Sequence, residues 1–146
     1  MAYEQLKLNN QVCFPIYATS RLIINQYQPY LEKLEITYPQ YLVLLVLWEK
    51  DDISVKEIGE KLILNSNTLT PLLKRMEKQE LLQRVRSSED ERKVIIKLSQ
   101  KAKDMEKEAS KIPKALANGK ISEVVSQEEL LQLKTLLHKV IGHLNQ

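Results

Sequence analysis

A mainly α-helical fold carrying one small β-hairpin is what this sequence predicts, on three observations. Glycine is scarce, with three in 146 residues, and phenylalanine and tryptophan occur once each, a composition unlike that of a sandwich or barrel. Leu, Lys, Glu and Gln, all good helix formers, abound. Apolar residues recur at three- and four-residue steps over most of the chain, and only between Gln83 and Leu98 does the period change to alternation.

The length fits one domain able to bury a core without disulfides or metals. Hydrophobic residues make up 43% and charged residues 28%, as in a soluble folded protein. No window approaches 18 uncharged apolar residues, and there is no basic-then-apolar secretory signal, so the expectation is a cytoplasmic protein with no membrane partner. The formal charge of +3 is unevenly spread: eight basic residues stand against five acidic ones between positions 62 and 98, while residues 1 to 61 are net acidic. A local basic excess is the footprint of a polyanion partner. A single cysteine, Cys13, excludes an intramolecular disulfide and a cysteine-based zinc cluster. His138 and His143 lie five apart, a poor metal spacing, and the sequence implies no cofactor and no metal.

Taking the elements in order, Leu8, Val12, Ile16, Leu22 and Ile23 put a long helix over roughly residues 6 to 34. Pro15 requires either a kink or a start near Phe14. Either way Cys13 lies close to unpaired backbone N–H groups, which favour a thiolate. Thr37 and Gln40 read as a capping box with Pro39 in the first turn, opening a helix whose apolar run, Leu42 to Trp48, should be buried on most sides. It ends at Lys50-Asp51-Asp52. Ser54 and Glu57 read as a second capping box before the short helix VKEIGEKL.

The stretch Leu64 to Lys78 follows as a second helix. Leu69, Leu72, Leu73 and Met76 form one apolar stripe, while Asn67, Thr70, Lys74 and Lys78, with Arg75 on the flank, gather on the opposite face. Such a face suits phosphates and base edges, although Lys and Arg on exposed helices are also common as plain solvated surface. Two short helices joined by a tight turn, the second cationic, make a helix-turn-helix. The alternating runs Gln83 to Ser87 and Lys93 to Leu98 flank a polar loop, residues 88 to 92, and a hairpin placed there is a wing. Its arginines, Arg84, Arg86 and Arg92, suit DNA backbone, and one at the tip could enter a minor groove. The competing reading of Arg92 is a salt bridge with Asp90 or another acid.

Ser99 caps a helix expected to run to about Ile112, where Pro113 breaks it. Asn118-Gly119-Lys120 is a loop, and Ser126 with Glu129 forms a third capping box. The last helix sets Leu130, Leu133, Leu137, Val140 and Leu144 on a seam about two heptads long, with Leu131, Leu136 and Ile141 beside it. That is more apolar surface than one neighbour covers, and a symmetric dimer is its natural outlet.

Four strings carry a resemblance over nearly the whole chain: Gln11-Val12-Cys13-Phe14 with Tyr17 four residues after the cysteine; Thr37-Tyr38-Pro39-Gln40-Tyr41; Thr68-Leu69-Thr70-Pro71-Leu72-Leu73-Lys74-Arg75-Met76; and Asp90-Glu91-Arg92. With their order, they resemble the MarR family of winged-helix transcriptional regulators, in its organic-hydroperoxide-sensing branch of the single-cysteine kind. The resemblance implies a winged helix-turn-helix over residues 35–112, with 1–34 and 113–146 forming a helical dimerisation region, all one continuous fold. It implies a non-enzymatic repressor that binds pseudo-palindromic double-stranded operator DNA as a homodimer and lets go when an organic peroxide oxidises Cys13. By the same resemblance Tyr27 and Tyr38 hydrogen-bond to the sensor across the dimer, and Thr68, Pro71 and Asp90 join the DNA-binding set. With no second cysteine, oxidised Cys13 stays sulfenic, pairs with a small thiol in a mixed disulfide, overoxidises or bridges to another chain.

The chain departs from that pattern at four places. Asn65 and Asn67 stand where Asp and Gly are common, Glu80 replaces a glycine suited to a left-handed helix cap, and Pro15 replaces an apolar residue beside the cysteine. Taken without the resemblance, a lone cysteine is more often a buried small hydrophobe, and the tyrosines are core residues. The alternatives to peroxide sensing are release by a small phenolic ligand and, from another class, a thiol peroxidase.

Overall fold

The structure, a computed structural model, describes residues 3–146. The chain divides into two compact units, Met1–Tyr38 and Pro39–Gln146. In the first, two 3-10 turns, Glu4–Leu6 and Leu8–Asn10, precede helix α1, Cys13–Lys33. The helix does not reach back to Leu6, and of the two expected outcomes at Pro15 it takes the start near Phe14. Pro15 becomes the third helical residue, where a missing N–H costs nothing because first-turn donors have no acceptor within the helix. A second proline, Pro29, lies well inside α1, which nevertheless runs on to Lys33. Glu35, left-handed at φ 55°, then closes it, with Ile36 N–H donating to Leu31 O and Glu35 N–H to Glu32 O.

The second unit is built on α2, Tyr38–Glu49. Within the apolar run Val43, Leu44, Val46 and Leu47 are buried while Leu45 is exposed, so the helix is covered on most sides; Tyr41 and the polar Gln40 just before the run are buried as well, the Gln40 amide donating to Gln79 at 2.7 Å. A two-residue strand follows, β1 (Ile53–Ser54), then α3 (Val55–Leu62), α4 (Ser66–Lys78), β2 (Leu82–Arg86) and β3 (Val94–Leu98). The strands form one antiparallel sheet in the order β1-β3-β2, with Leu82 opposite Leu98 and Arg86 opposite Val94. Strand β1 was not expected, since two residues are too short for any alternation to register. Its end is completed by a side chain: Asp51 Oδ1 accepts the N–H of Leu98 at 2.8 Å.

The capping predictions divide. Ser54 Oγ accepts from Glu57 N–H at 3.1 Å, but the reciprocal half of that box is absent: Glu57 pairs instead with Lys50 at 3.0 Å. The Ser126–Glu129 box is complete in both directions, and those hydrogen bonds to Ser126 hold the Glu129 carboxyl below its ordinary range. Ser99 caps α5 (Gln100–Ala109) by accepting from Ala102 N–H. That helix stops at Ala109, short of the expected Ile112, and a separate helix, α6 (Ile112–Ala117), begins there with Pro113 in its first turn. Proline starts the second helix rather than ending the first, because it is best tolerated where N–H groups are unpaired anyway. A 3-10 turn, Lys120–Glu123, leads to α7, Gln127–Leu144, which buries no residue.

Candidate nucleic-acid interface and cysteine site

Helix α4 is anchored as its sequence demands. Leu69, Leu72, Leu73 and Met76 are all buried, and Ile58 of α3 is fully enclosed in the same core. Burying side chains of this kind contributes about 1.5–3 kcal/mol each, so the helix has one stable rotation about its axis. The opposite face is therefore fixed outward: Asn67, Thr68, Pro71, Lys74, Arg75 and Lys78 are exposed and Thr70 is half-buried. Asn65, one of the departures, serves as the N-cap, its Oδ1 accepting from Thr68 N–H at 3.0 Å, so the amide replaces a carboxylate without loss of the cap. At the other end Glu80 adopts the left-handed conformation at φ 59° despite its side chain. Leu81 N–H reaches Met76 O and Glu80 N–H reaches Glu77 O, so the glycine-type cap is kept at a conformational cost.

Between α3 and α4 the turn is tight. Ile63 is left-handed at φ 56°, and the Leu64 N–H donates to the carbonyl of Gly59 at 3.0 Å. Gly59 is a turn-forming residue that the sequence analysis did not single out. Its only signal was being the single glycine of the helix-turn-helix.

In the wing the arginines have different surroundings. Arg92 is nearly fully exposed, its side chain 92% accessible, yet its Nε donates to Asp90 Oδ1 at 3.3 Å and its backbone N–H to the same oxygen at 3.1 Å. The salt bridge foreseen as the competing reading is thus present, and it leaves the outer end of the guanidinium exposed. Arg84 is not an open cation: it pairs with Glu77 of α4, while Arg86 is exposed at the end of β2. Those hydrogen bonds from Arg84 hold the Glu77 carboxyl below its ordinary range. A cleft of about 310 Å³ opens between α4 and the wing, lined among others by Lys56, Thr70, Arg84, Arg92 and Lys93.

Cys13 opens α1 and is exposed; no side chain caps that helix terminus. The ring of Tyr17, one turn on, carries the Arg21 guanidinium at 5.1 Å from its centroid. Tyr27 and Tyr38 stand edge to face, centroids 5.0 Å apart, and burial pushes both phenols above their ordinary 10.0, with the neighbouring Tyr27 adding to the effect on Tyr38. The structure brings the two tyrosines together but not Cys13. Fourteen residues of helix separate Cys13 from Tyr27, a rise of about 21 Å at 1.5 Å per residue. Tyr27 and Tyr38 of one chain therefore cannot serve its own cysteine.

Comparison with known proteins bears on these features. The family model of the transcriptional regulator SarA/Rot matches residues 25–109. The chain is 48% identical over 144 residues, 99% of its length and 96% of the relative's, to the organic hydroperoxide resistance transcriptional regulator of Bacillus subtilis (strain 168). Reduced AbfR bound to DNA is similar in structure, with a TM-score of 0.78, 36% identity and 98% of each chain covered. The disulfide-formed state of AbfR, a protein of Staphylococcus epidermidis, matches with a TM-score of 0.69, 35% identity and 95% of each chain covered.

Proposed function

Because this chain belongs to the MarR-type winged-helix transcriptional regulators, in the group that holds the organic hydroperoxide resistance regulators, we propose that it is an operator-binding repressor switched off by organic peroxide at Cys13. The observation that carries the DNA-binding half is the rotation of α4: four buried apolar side chains hold Asn67, Thr68, Thr70, Pro71, Lys74, Arg75 and Lys78 on the outward side, away from the core. In this reading those residues enter the major groove. Arg86 meets backbone, Arg84 lines the approach, and Arg92, steadied by Asp90, reaches the adjoining minor groove. A homodimer supplies two such helices to a pseudo-palindromic site.

The switching half follows from the exposure of Cys13 and its separation from Tyr27 and Tyr38. A symmetric dimer in which α1 of each protomer runs against its partner brings each cysteine to the partner's tyrosine pair. Residues 1–34 and 113–146 form the dimerisation region in this reading, and 35–112 the DNA-binding region. Support comes from the uncovered apolar side chains of α1, such as Ile16 and Leu22, and of α7, such as Leu133, Leu136 and Val140. The Cys13 thiolate attacks the outer peroxide oxygen, the O–O bond breaks, and the alkoxide leaves as alcohol after taking a proton; the sulfur becomes sulfenic acid. A small thiol can then displace water to give a mixed disulfide. Either product ends the hydrogen bonds that the protonated phenols donate to the thiolate, biasing the dimer toward a spacing of the α4 helices that no longer fits the operator. The setting is the cytoplasm, where the operator is, and among the described residues no helix is long and apolar enough to cross a membrane.

Replacing Cys13 with Ser tests the switch. The variant should hold operator DNA with native affinity and keep holding it after one equivalent of cumene hydroperoxide, whereas the native protein dissociates and gains the mass of one oxygen. Release of the Cys13→Ser variant by peroxide would refute thiol sensing, and release by a phenol alone would favour a small-ligand regulator.

A further inference from the structure

The outward face of α4 is cationic, but its flank carries one acid. Glu77 lies on the side of the helix that bears Thr70 and Leu73, at the border between the buried stripe and the exposed face. Both of its oxygens are taken by a single residue of the wing. Oε2 accepts the backbone N–H of Arg84 at 3.1 Å, and Oε1 accepts from Arg84 Nε and Nη2, each at 3.3 Å. The backbone bond matters most. In the strand order β1-β3-β2, β2 is an edge, and an edge N–H fixed to a charged acceptor ties the main chain of the strand, not merely a swinging side chain, to the recognition helix. Toward the tip, no such tie is present among the described residues. There the cleft separates Thr70 and Leu73 from Arg92, Lys93 and Val94. The wing is thus fastened to α4 at its base and stands off it beyond.

We propose that Glu77 is a positioning residue for DNA binding: its clamp on Arg84 sets the angle of the wing to the recognition helix, so that Arg75 and Arg92 can engage adjacent grooves at once. The proposal rests on the reading that Arg75 and Arg92 touch DNA. The sign of the effect separates it from a passive surface role. A carboxylate near phosphates repels them, so deleting an idle Glu77 charge should tighten binding; deleting a clamp should weaken it.

The experiment is a double-mutant cycle in the full-length protein, on a duplex that the native protein has selected from a random-sequence pool. Glu77→Gln keeps the size of a side chain that is 39% exposed, and circular dichroism with thermal melting verifies each fold. Arg92→Ala should cost on the order of tenfold in affinity in the native background, and less than roughly threefold once Glu77→Gln has already misaligned the wing. Arg75→Ala should cost the same in both backgrounds. Tighter or unchanged binding by Glu77→Gln would overturn the proposal, as would full additivity with Arg92→Ala. Equal erosion of the Arg75 and Arg92 effects would mark general structural damage and overturn it too. An Arg92→Ala variant with native affinity would remove Arg92 from the interface and take the proposal with it, whereas additivity alone leaves the reading of Arg92 intact.

Discussion

Gly59 and Leu64 are in backbone contact across the turn of the helix-turn-helix: the Leu64 N–H donates to the Gly59 carbonyl at 3.0 Å, and the Leu64 carbonyl oxygen lies 2.8 Å from where a Cβ on Gly59 would stand. The glycine is helical, so what matters is the missing side chain and not an unusual dihedral. Exchange for alanine inside a helix ordinarily gains roughly 0.5–1 kcal/mol. Here the new methyl meets backbone, which cannot swing aside. Gly59→Ala should therefore lower stability by about 1–3 kcal/mol, the usual range for overpacking, and weaken DNA binding by displacing the entry to α4. Urea unfolding beside a mobility-shift titration checks both; a stabilised variant would show that the turn yields freely.

A strained residue follows four positions later. Ile63 is β-branched and left-handed, with 49% of its surface exposed, so it gives up helix-cap comfort for little burial. Ile63→Gly should raise stability by about 1 kcal/mol, the left-handed penalty less the entropy of glycine. A fall in the urea midpoint would mean that the Ile63 side chain contributes packing which outweighs its strain.

At the wing tip, charge and geometry predict opposite signs. Asp90 is acidic and close to where phosphates would pass, so its removal alone should help binding, but its carboxylate fixes Arg92 through both backbone and side chain. Asp90→Asn should weaken operator binding by severalfold, roughly 1 kcal/mol for a lost charge-assisted hydrogen bond, and less than Arg92→Ala does. Tighter binding by Asp90→Asn would show that Arg92 orients itself.

The tyrosine pair gives a pH signature. Burial raises the phenol pKa of Tyr27 and Tyr38 above 10.0 in the folded protein. Their contribution to stability is therefore complete below the unfolded value of 10.0 and is lost as pH climbs through the folded values. Monitored at 295 nm, the last phenolates to form should vanish from the late phase in a Tyr27→Phe, Tyr38→Phe variant. At neutral pH both hydroxyls stay protonated, as donors to a thiolate must be. Glu77 behaves oppositely: its lowered pKa means that its clamp persists above the unfolded carboxylate value and is lost only as pH falls through the folded one.

The uncovered face of α7 predicts assembly. Leu133 and Leu136 are exposed in the single chain, and charges there should be tolerated by the fold but not by a dimer. Leu133→Lys with Leu136→Lys should shift sedimentation from dimer to monomer at micromolar concentration. A variant that remains dimeric would move the interface elsewhere.

Much of this molecule could be read before any coordinates. The stripe of Leu69, Leu72, Leu73 and Met76 fixed which side of α4 faces out, because burying four apolar groups outweighs any local preference. The Ser99 cap and the Ser126–Glu129 box marked helix starts because their hydrogen bonds span only three residues. What depends on distant partners was not legible. Strand β1 exists only because β3 lies beside it; the carboxylate of Glu57 turned to Lys50; Arg84, read as an open cation, proved to be committed to Glu77, seven residues back across an interface between helix and sheet. The family resemblance named Cys13, Tyr27 and Tyr38 and put the tyrosines on the partner protomer; the continuous run of α1 from Cys13 to Lys33 supplies the reason, since one chain cannot join them. Local sequence thus determined the elements and their inward faces, since periodicity and capping are near-neighbour physics. Tertiary structure decided which charges are spent within the fold and which stay exposed, because pairing depends on distances that no short stretch of sequence contains.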